Sequence, residues 1–408
     1  MLAVGNRLDE ATRLRVVGWI TVLLAVSLPW STSATSILSV IWLIAVAFTL
    51  TRDDRTILFT SAGGLPVLLV LLGVLGMAWA NVGFAERGEG LASFLTLLFI
   101  PLMFMHFRRS RQGMSVIAAY VISCVVLLAV SYVIALGDIR LTGDFGVPVK
   151  NAATQSGEFA ACMLGFSYLA YEWIEQRKWA WAAAATALAL AMLANMLFIA
   201  TGRTALVVVL VLFGVFAALH LTRRGMALVF TAAVVVISIS WFSSPYLRAR
   251  IEAIRTELTL YETADIRTSS GERVEFAKRS LEFIREAPVI GHGTGTIRAQ
   301  FAKAAIGKTG AEGVAAANPH NQTFAVGIQL GLIGIALLWA MWIAHLLLFR
   351  GGGLVAWIGL VVVVQNIVGS AFNSHLFDFL QGWTYVVGVG VAGGMMLRRR
   401  GKPPAPSP

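Results

Sequence analysis

The sequence predicts an all-α polytopic membrane protein with about twelve transmembrane helices and one large outer loop that itself contains helices. Three observations carry this reading. Of 408 residues, 58% are hydrophobic and 13% charged, and the mean hydropathy is +0.77, whereas water-soluble chains carry roughly a quarter charged residues. Apolar runs able to cross about 30 Å of hydrocarbon at about 1.5 Å per residue recur along the whole chain. Lys and Arg alternate between connections they crowd and connections they avoid.

The apolar runs fall at 16–30, 34–50, 65–80, 91–106, 114–136, 156–173, 179–200, 203–221, 225–242, 321–348, 353–372 and 382–397. With a cytoplasmic N-terminus, the inner connections read "RLDEATRLR", "TRDDRT", "FRRSRQG", "EQRK", "TRRG", "FRGGG" and "RRRGK", each basic or containing Arg. The short outer ones hold only Arg87, Arg140, Lys150 and Arg203. The net charge of +11 is therefore mainly an inside anchor. A nucleic-acid footprint would gather charge on one soluble face, so the expected partner is membrane lipid and no nucleic acid. A basic start before the first run resembles a signal peptide, but eleven further runs make it a retained helix. Cys124 and Cys162 both lie in predicted spans, which argues against disulfides. The expected organisation is helices one to nine in 1–242, the helical loop in 243–320, helices ten to twelve in 321–397, and a disordered cytoplasmic tail in 398–408.

The connection 243–320 is too long for an idle turn. Its first part, "PYLRARIEAIRTELTLY", places Leu247, Ile251, Ile254 and Leu258 at helical spacing and predicts an interfacial helix. In "SSGERVEFAKRSLEFIREAP", Ser269 three residues before Glu272 predicts a capping box. Val274, Ala277, Leu281 and Ile284 would form the apolar face, Pro288 the stop, and Arg273 lies in the first turn. "GHGTGT" (291–296) has the look of a phosphate-binding glycine loop without the strand–helix unit that would support it, and reads as a flexible turn. The Gly/Ala-rich run to residue 317 reads as flexible too. "RDDR" (52–55) reads as a self-paired loop.

Candidate chemistry gathers on the outer side. Asn318 then Pro319 is a helix-start signal, which puts His320 in the first turn of the tenth span. The positive end of the helix dipole would lower its pKa from about 6.5 and leave a neutral imidazole able to accept a proton; the position equally suits a plain interfacial polar residue. Asn321 and Gln322 add amides. Thr323, Gly327, Gly331 and Gly334 form a small-residue stripe for close helix approach. Arg203 opens the eighth span, where helix N-termini attract anions, and Arg273 opens the loop helix. Both could grip phosphate bidentately, or simply reach water. Arg140 and Lys150 are lesser candidates, and His375 in "FNSHLFDF", with Asp378 beside it, rivals His320. No outer segment offers a paired-carboxylate or His/carboxylate metal set, so no metal or other cofactor is expected, and a phosphate leaving group would have to be neutralised by arginine. Span interiors nearly free of ionisable groups argue against an ion-coupled transporter.

"TGRTA" opening a helix, "SGERVEFAKRSLEFIREAPVIGHGTG" in a large outer loop and "HNQTFAVGIQLGLIG" closing it resemble, in this order, the O-antigen ligase and polymerase superfamily, polytopic glycosyltransferases of bacterial inner membranes with a C-type membrane fold. The resemblance covers about 200–334. It implies an inverting, metal-independent transfer of O-antigen polysaccharide from undecaprenyl diphosphate onto a hydroxyl of lipid A–core, on the periplasmic face of a Gram-negative inner membrane, with both termini cytoplasmic. It puts the catalytic base on His320 and the diphosphate contacts on Arg203 and Arg273. Asn318, Asn321, Gln322, Arg140, Lys150 and His375 are supporting candidates. The segment after the fifth span, "GDFGVPVKNAATQSG", departs from a family stretch that often carries paired asparagines. Alternatives are an O-antigen polymerase, a protein O-oligosaccharyltransferase and, outside enzymes, a lipid-linked glycan flippase.

Overall fold

The computed structural model describes residues 9–400 apart from Ser244 and Asp265. Among these the chain is helical throughout, without a strand. The helices are α1 (Glu10–Ser27), α2 (Thr32–Ala47), α3 (Ser61–Gly76), α4 (Phe84–Leu95), α5 (Phe99–Arg109), α6 (Gly113–Leu136), α7 (Ala152–Glu175), α8 (Trp179–Phe198), α9 (Arg203–His220), α10 (Arg223–Ser243), α11 (Pro245–Ala264), α12 (Ser269–Glu286), α13 (Ile297–Ala304), α14 (Gln322–Leu348), α15 (Leu354–Ser370) and α16 (Phe379–Arg400). Most of the expected tail, 401–408, lies outside the described residues, as do the side chains of Leu247, Ile251 and Ile254.

Each of the twelve apolar runs falls on helix. Six helical segments are long and apolar enough to cross a membrane: Phe84–Arg109, Gly113–Leu136, Trp179–Phe198, Arg203–His220, Gln322–Leu348 and Phe379–Arg399. Helix α2 qualifies only with the 3₁₀ helix Arg52–Phe59, from which it is bent by 119°. Helices α3 and α15 are apolar but shorter, and the 16 residues of α3 reach only about 24 Å. By length and composition the described residues thus give six or seven spans where the sequence suggested twelve.

Two apolar cores organise the bundle. One joins α1, α2, α3, α5, α14 and α16 around Trp42, Phe104, Trp342 and Tyr385. The other joins α6, α7, α8, α9 and α15 around Phe159, Met192, Leu212 and Trp357. A third, smaller cluster seats α12 and α13 on α14 through Phe276, Phe283, Phe301 and Ile328. This corrects the expected face of α12. Val274 and Leu281 are exposed, and the buried row is Glu275, Phe276, Ser280 and Phe283. The helix turns its two Phe rings inward because an aromatic side chain removes more apolar area from water than Val or Leu. Its cap also differs from the expected Ser269–Glu272 box. Thr268 accepts from Gly271 N (3.1 Å) and donates to Glu257 O (3.0 Å), while Glu272 pairs with Arg267. The "RDDR" loop is not self-paired either: Asp54 is buried and held by Arg108 (3.0 Å) and Arg109 (3.1 Å) of α5.

The glycine run that reads as a flexible turn is a joint. Helix α14 is broken at Gly331 (φ 61°, ψ −158°), so several of its backbone groups lose their helical partners. Segment 288–294 supplies replacements. Leu332 N donates to Pro288 O (2.8 Å) and Ile333 N to Val289 O (3.3 Å), while His292 N and Gly293 N donate to Ile328 O and Gln329 O, both at 2.9 Å. Thr294 continues onto α3, its N–H bonding Gly76 O (3.1 Å) and its hydroxyl Gly73 O (2.6 Å). Broken backbone inside a membrane bundle persists only where protein satisfies it in this way. Nor do the glycines of α14 form one stripe. Gly327 faces Ile284 of α12, Gly331 makes the break, and Gly334 meets Leu330 of its own helix.

At Gly293 (φ +99°) an added Cβ would stand 2.5 Å from Ala80 Cα. Gly293→Ala is expected to cost at least about 2 kcal/mol through left-handed strain and backbone collision, read as a lower unfolding midpoint of the purified protein. Gly88→Ala, in α4 with nothing within 4 Å, should leave the midpoint unchanged or slightly raised.

Candidate active site

Three elements carry the predicted charges, and Arg273 is the one that connects them electrostatically. Arg203 is the first residue of α9, after the N-cap Gly202. The turn before it is tied to α7 by the Ser156 hydroxyl, which donates to Ala200 O, and Gly202 packs so closely that an added Cβ would lie 2.9 Å from Ser156. Arg273 stands near the start of α12. Burial, and then the positive charge of Arg203, lower its pKa from the usual guanidinium value, with Glu257 opposing. Among the described residues neither guanidinium has a hydrogen-bond or ion-pair partner. Two like charges held within each other's field make a site that an anion would relieve.

His320 does not sit in the first turn of a helix. Helix α14 begins at Gln322 with Asn321 as cap, its side chain accepting from Phe324 N (3.1 Å). The expected cap, Asn318, instead accepts from His320 N (2.8 Å). This side-chain turn around Pro319 holds His320 at φ +53°, a left-handed conformation that His tolerates better than most residues. The imidazole lies nearly parallel to Phe276 (13°, centroids 6.1 Å). Its pKa is lowered, as the sequence suggested, but for another reason. Burial leads and the charge of Arg273 adds to it, while the hydrogen bond to Asn373 opposes. Arg273 thus lies within the field of Arg203 and itself acts on His320, which links the three groups through Arg273.

Asn373 is the residue that sequence reasoning missed. Its Nδ2 donates to Asp378 Oδ2, and its Oδ1 faces His320 Nδ1 (2.9 Å) and accepts from Asn318 Nδ2 (3.1 Å). Asp378 has its carboxyl pushed up to about 6 by burial, so near pH 7 it is mostly ionised and can only accept. The carboxylate therefore fixes which end of the Asn373 amide faces the histidine. That end is an acceptor, so Nδ1 of His320 carries the proton and Nε2 carries the lone pair. A neutral imidazole with an oriented free nitrogen can take a proton from a hydroxyl. The available signal was the polar string "FNSHLFD" between two apolar runs.

The supporting candidates divide. Asn318 and Asn321 hold the loop, and Asn321 also donates to Ala371 O (3.3 Å). Gln322 is buried and accepts from Leu376 N (2.9 Å), tying the Asn373–Asp378 segment to α14. His375 turns away into a different pocket with Glu158, Gln365 and Asn366, and burial lowers its pKa to about 4. Lys150 donates to Leu28 O and feels the charge of Glu158 rather than joining the arginines. Arg140 is exposed and unpaired among the described residues. Glu158 is an ionisable group buried in α7, close to the start of the expected span 156–173. Among the described residues no three His, Cys, Asp or Glu side chains gather as a metal set.

Residues 188–339, which include Arg203, Arg273 and His320, match the protein family described as O-antigen ligase. No curated protein matches the chain.

The two influences on His320 have opposite signs and separate by mutation. Nuclear magnetic resonance of histidine-labelled protein should show His320 titrating below 6.5. Arg273→Ala should raise that value by removing a positive neighbour, and Asn373→Leu should lower it by removing the acceptor that favours the charged ring. A common shift in both variants would contradict the arrangement.

Proposed function

The chain carries in residues 188–339 the domain of the O-antigen ligase and polymerase superfamily, and on that premise we propose that it is an inverting glycosyltransferase. It would move O-antigen polysaccharide from undecaprenyl diphosphate onto a hydroxyl of lipid A–core, at the periplasmic face of the inner membrane. What supports this reading is that Arg273, without a hydrogen-bond or ion-pair partner among the described residues, feels the charge of Arg203 and acts in turn on His320, whose Nδ1 faces Asn373 and whose pKa is lowered.

In the proposed step, His320 Nε2 removes the proton of the acceptor hydroxyl as its oxygen attacks the anomeric carbon opposite the diphosphate. The bond from that carbon to the phosphate oxygen breaks, and its electron pair leaves with undecaprenyl diphosphate. Attack from the opposite face inverts the anomeric centre. Charge grows on the departing diphosphate as the bond opens, so Arg203 and Arg273 bind it more tightly then than before, which lowers the barrier. Asn373 and Asp378 keep the proton on Nδ1, and the imidazolium later gives up its proton to solvent. The diphosphate linkage supplies the driving force, so no nucleotide is consumed, and the two arginines meet the leaving-group charge without a metal.

Polymerase and protein O-oligosaccharyltransferase readings share this donor chemistry and differ in acceptor. The test is purified protein with undecaprenyl-diphosphate glycan and lipid A–core, in chelator and without nucleotide. Ligated product supports the ligase, whereas product only with a second lipid-linked glycan or a protein acceptor turns the reading to those alternatives. Glycan crossing the bilayer without any product would make the chain a transporter.

His320→Ala should fold normally and lose about 10²–10⁴ in rate. Arg203→Lys should lose most of the activity because a point charge cannot reproduce the bidentate fork; full activity in that variant would remove the diphosphate contact. Activity should hold at pH 7 and fall as pH drops through about 6. Protonation of Asp378 there releases the Asn373 amide, and protonation of His320, whose pKa is lowered from 6.5 chiefly by burial, removes the lone pair as the solution becomes acidic.

A further inference from the structure

Beside the histidine loop lies a cleft of about 460 Å³, within the roughly 300–1,000 Å³ of small-molecule sites. One wall is Asn318, Ser374 and Asp378, the same residues that hold His320 and Asn373 in place: Asn318 Oδ1 accepts from Ser374 (2.7 Å) and His320 N. The lining also includes Glu86 and Glu89 of α4, Arg298 of α13 and the apolar ring of Phe377. Both glutamates are exposed and have no ion-pair partner among the described residues. The lining is thus three carboxylates against one guanidinium, unlike the paired arginines at 203 and 273.

We infer that this cleft is the acceptor saccharide subsite and that it selects hydroxyl-rich or amino sugars over phosphorylated ones. Ionised carboxylates only accept hydrogen bonds, so they match hydroxyl and ammonium donors and repel phosphate. A sugar ring also presents C–H faces that suit Phe377, the mixture of apolar surface and few polar groups usual in ligand clefts. Charge thereby sorts the two substrates: the anionic diphosphate is drawn to the arginines, and the uncharged nucleophile to the carboxylate-lined cleft beside the histidine loop. The acceptor role rests on the transferase reading, whereas sugar binding by the cleft does not.

The experiment therefore measures binding first. With the full-length chain in nanodiscs, saturation-transfer NMR is recorded on maltotriose, the glucosamine trimer and glucose 6-phosphate. Wild type should transfer signal to the first two and little to the third, and E86A/E89A should abolish it. His320→Ala, inactive in transfer, should bind the sugars as wild type does. No signal in wild type, or equal signal in the double variant, overturns the subsite even if glycan transfer is intact. In turnover assays E86A/E89A should raise the acceptor KM about tenfold or more, two charge-assisted contacts being lost, with kcat and donor KM within about twofold. A rise in donor KM instead would assign the cleft to the donor glycan and overturn the inference.

Discussion

Four backbone hydrogen bonds between residues 288–293 and the broken middle of α14 are the constraint on which the rest of the arrangement depends. Pro288, Val289, His292 and Gly293 take over the groups that Gly331 frees, and Thr294 fastens the same segment to α3. Helix α12 ends at Glu286, immediately before this joint, so its position follows from it. Phe276 and Phe283 then pack against α14, which brings Arg273 toward His320 and toward the start of α9. A segment with two glycines at positive φ, Gly291 and Gly293, is thereby among the most constrained parts of the chain, because glycine is what permits backbone to meet backbone there.

The site is built from repulsion held in check. Arg203 disfavours the charge of Arg273, Arg273 disfavours a charge on His320, and burial adds to both effects. Such an arrangement is costly without an anion and improves when one enters, the converse of a structural ion pair such as Asp54 with Arg108 and Arg109. Asn373 and Asp378 add direction by specifying which imidazole nitrogen is free. The combination sets charge, protonation state and tautomer before any substrate arrives, so little reorganisation is left for the reaction itself.

Much of this was legible in sequence, and the rest was hidden for identifiable reasons. Helix positions followed from apolar runs, because in lipid the backbone has few alternatives to helix. Arg203 and Arg273 stood out as charges at helix starts. Local capping was misread by a few residues, since Thr268 and Ser269, or Asn318 and Asn321, are equally able caps and tertiary contacts choose between them. The α12 face was misjudged because Val274 and Leu281 share the helical period of the true core. The glycine joint was invisible because its partners lie 36 to 44 residues ahead and more than 200 behind, as the Thr294–Gly73 bond shows, and no local pattern encodes such a distance. Asn373 escaped because a single amide carries no motif; only the positions of His320 and Asp378 give it a role.

The joint at Gly331 also has a consequence for biogenesis. Residues 288–295 emerge from the ribosome before α14, yet the carbonyls and amides they must meet belong to a helix not yet synthesised. The Arg273 helix accordingly has no seat until α14 has been made, and α16 follows the segment that holds Asn373 and Asp378. A nascent chain stalled before that stage exposes a polar, unanchored lobe, an obvious substrate for quality-control proteases. The set of Arg273, His320, Asn373 and Asp378 is therefore complete only at the end of insertion.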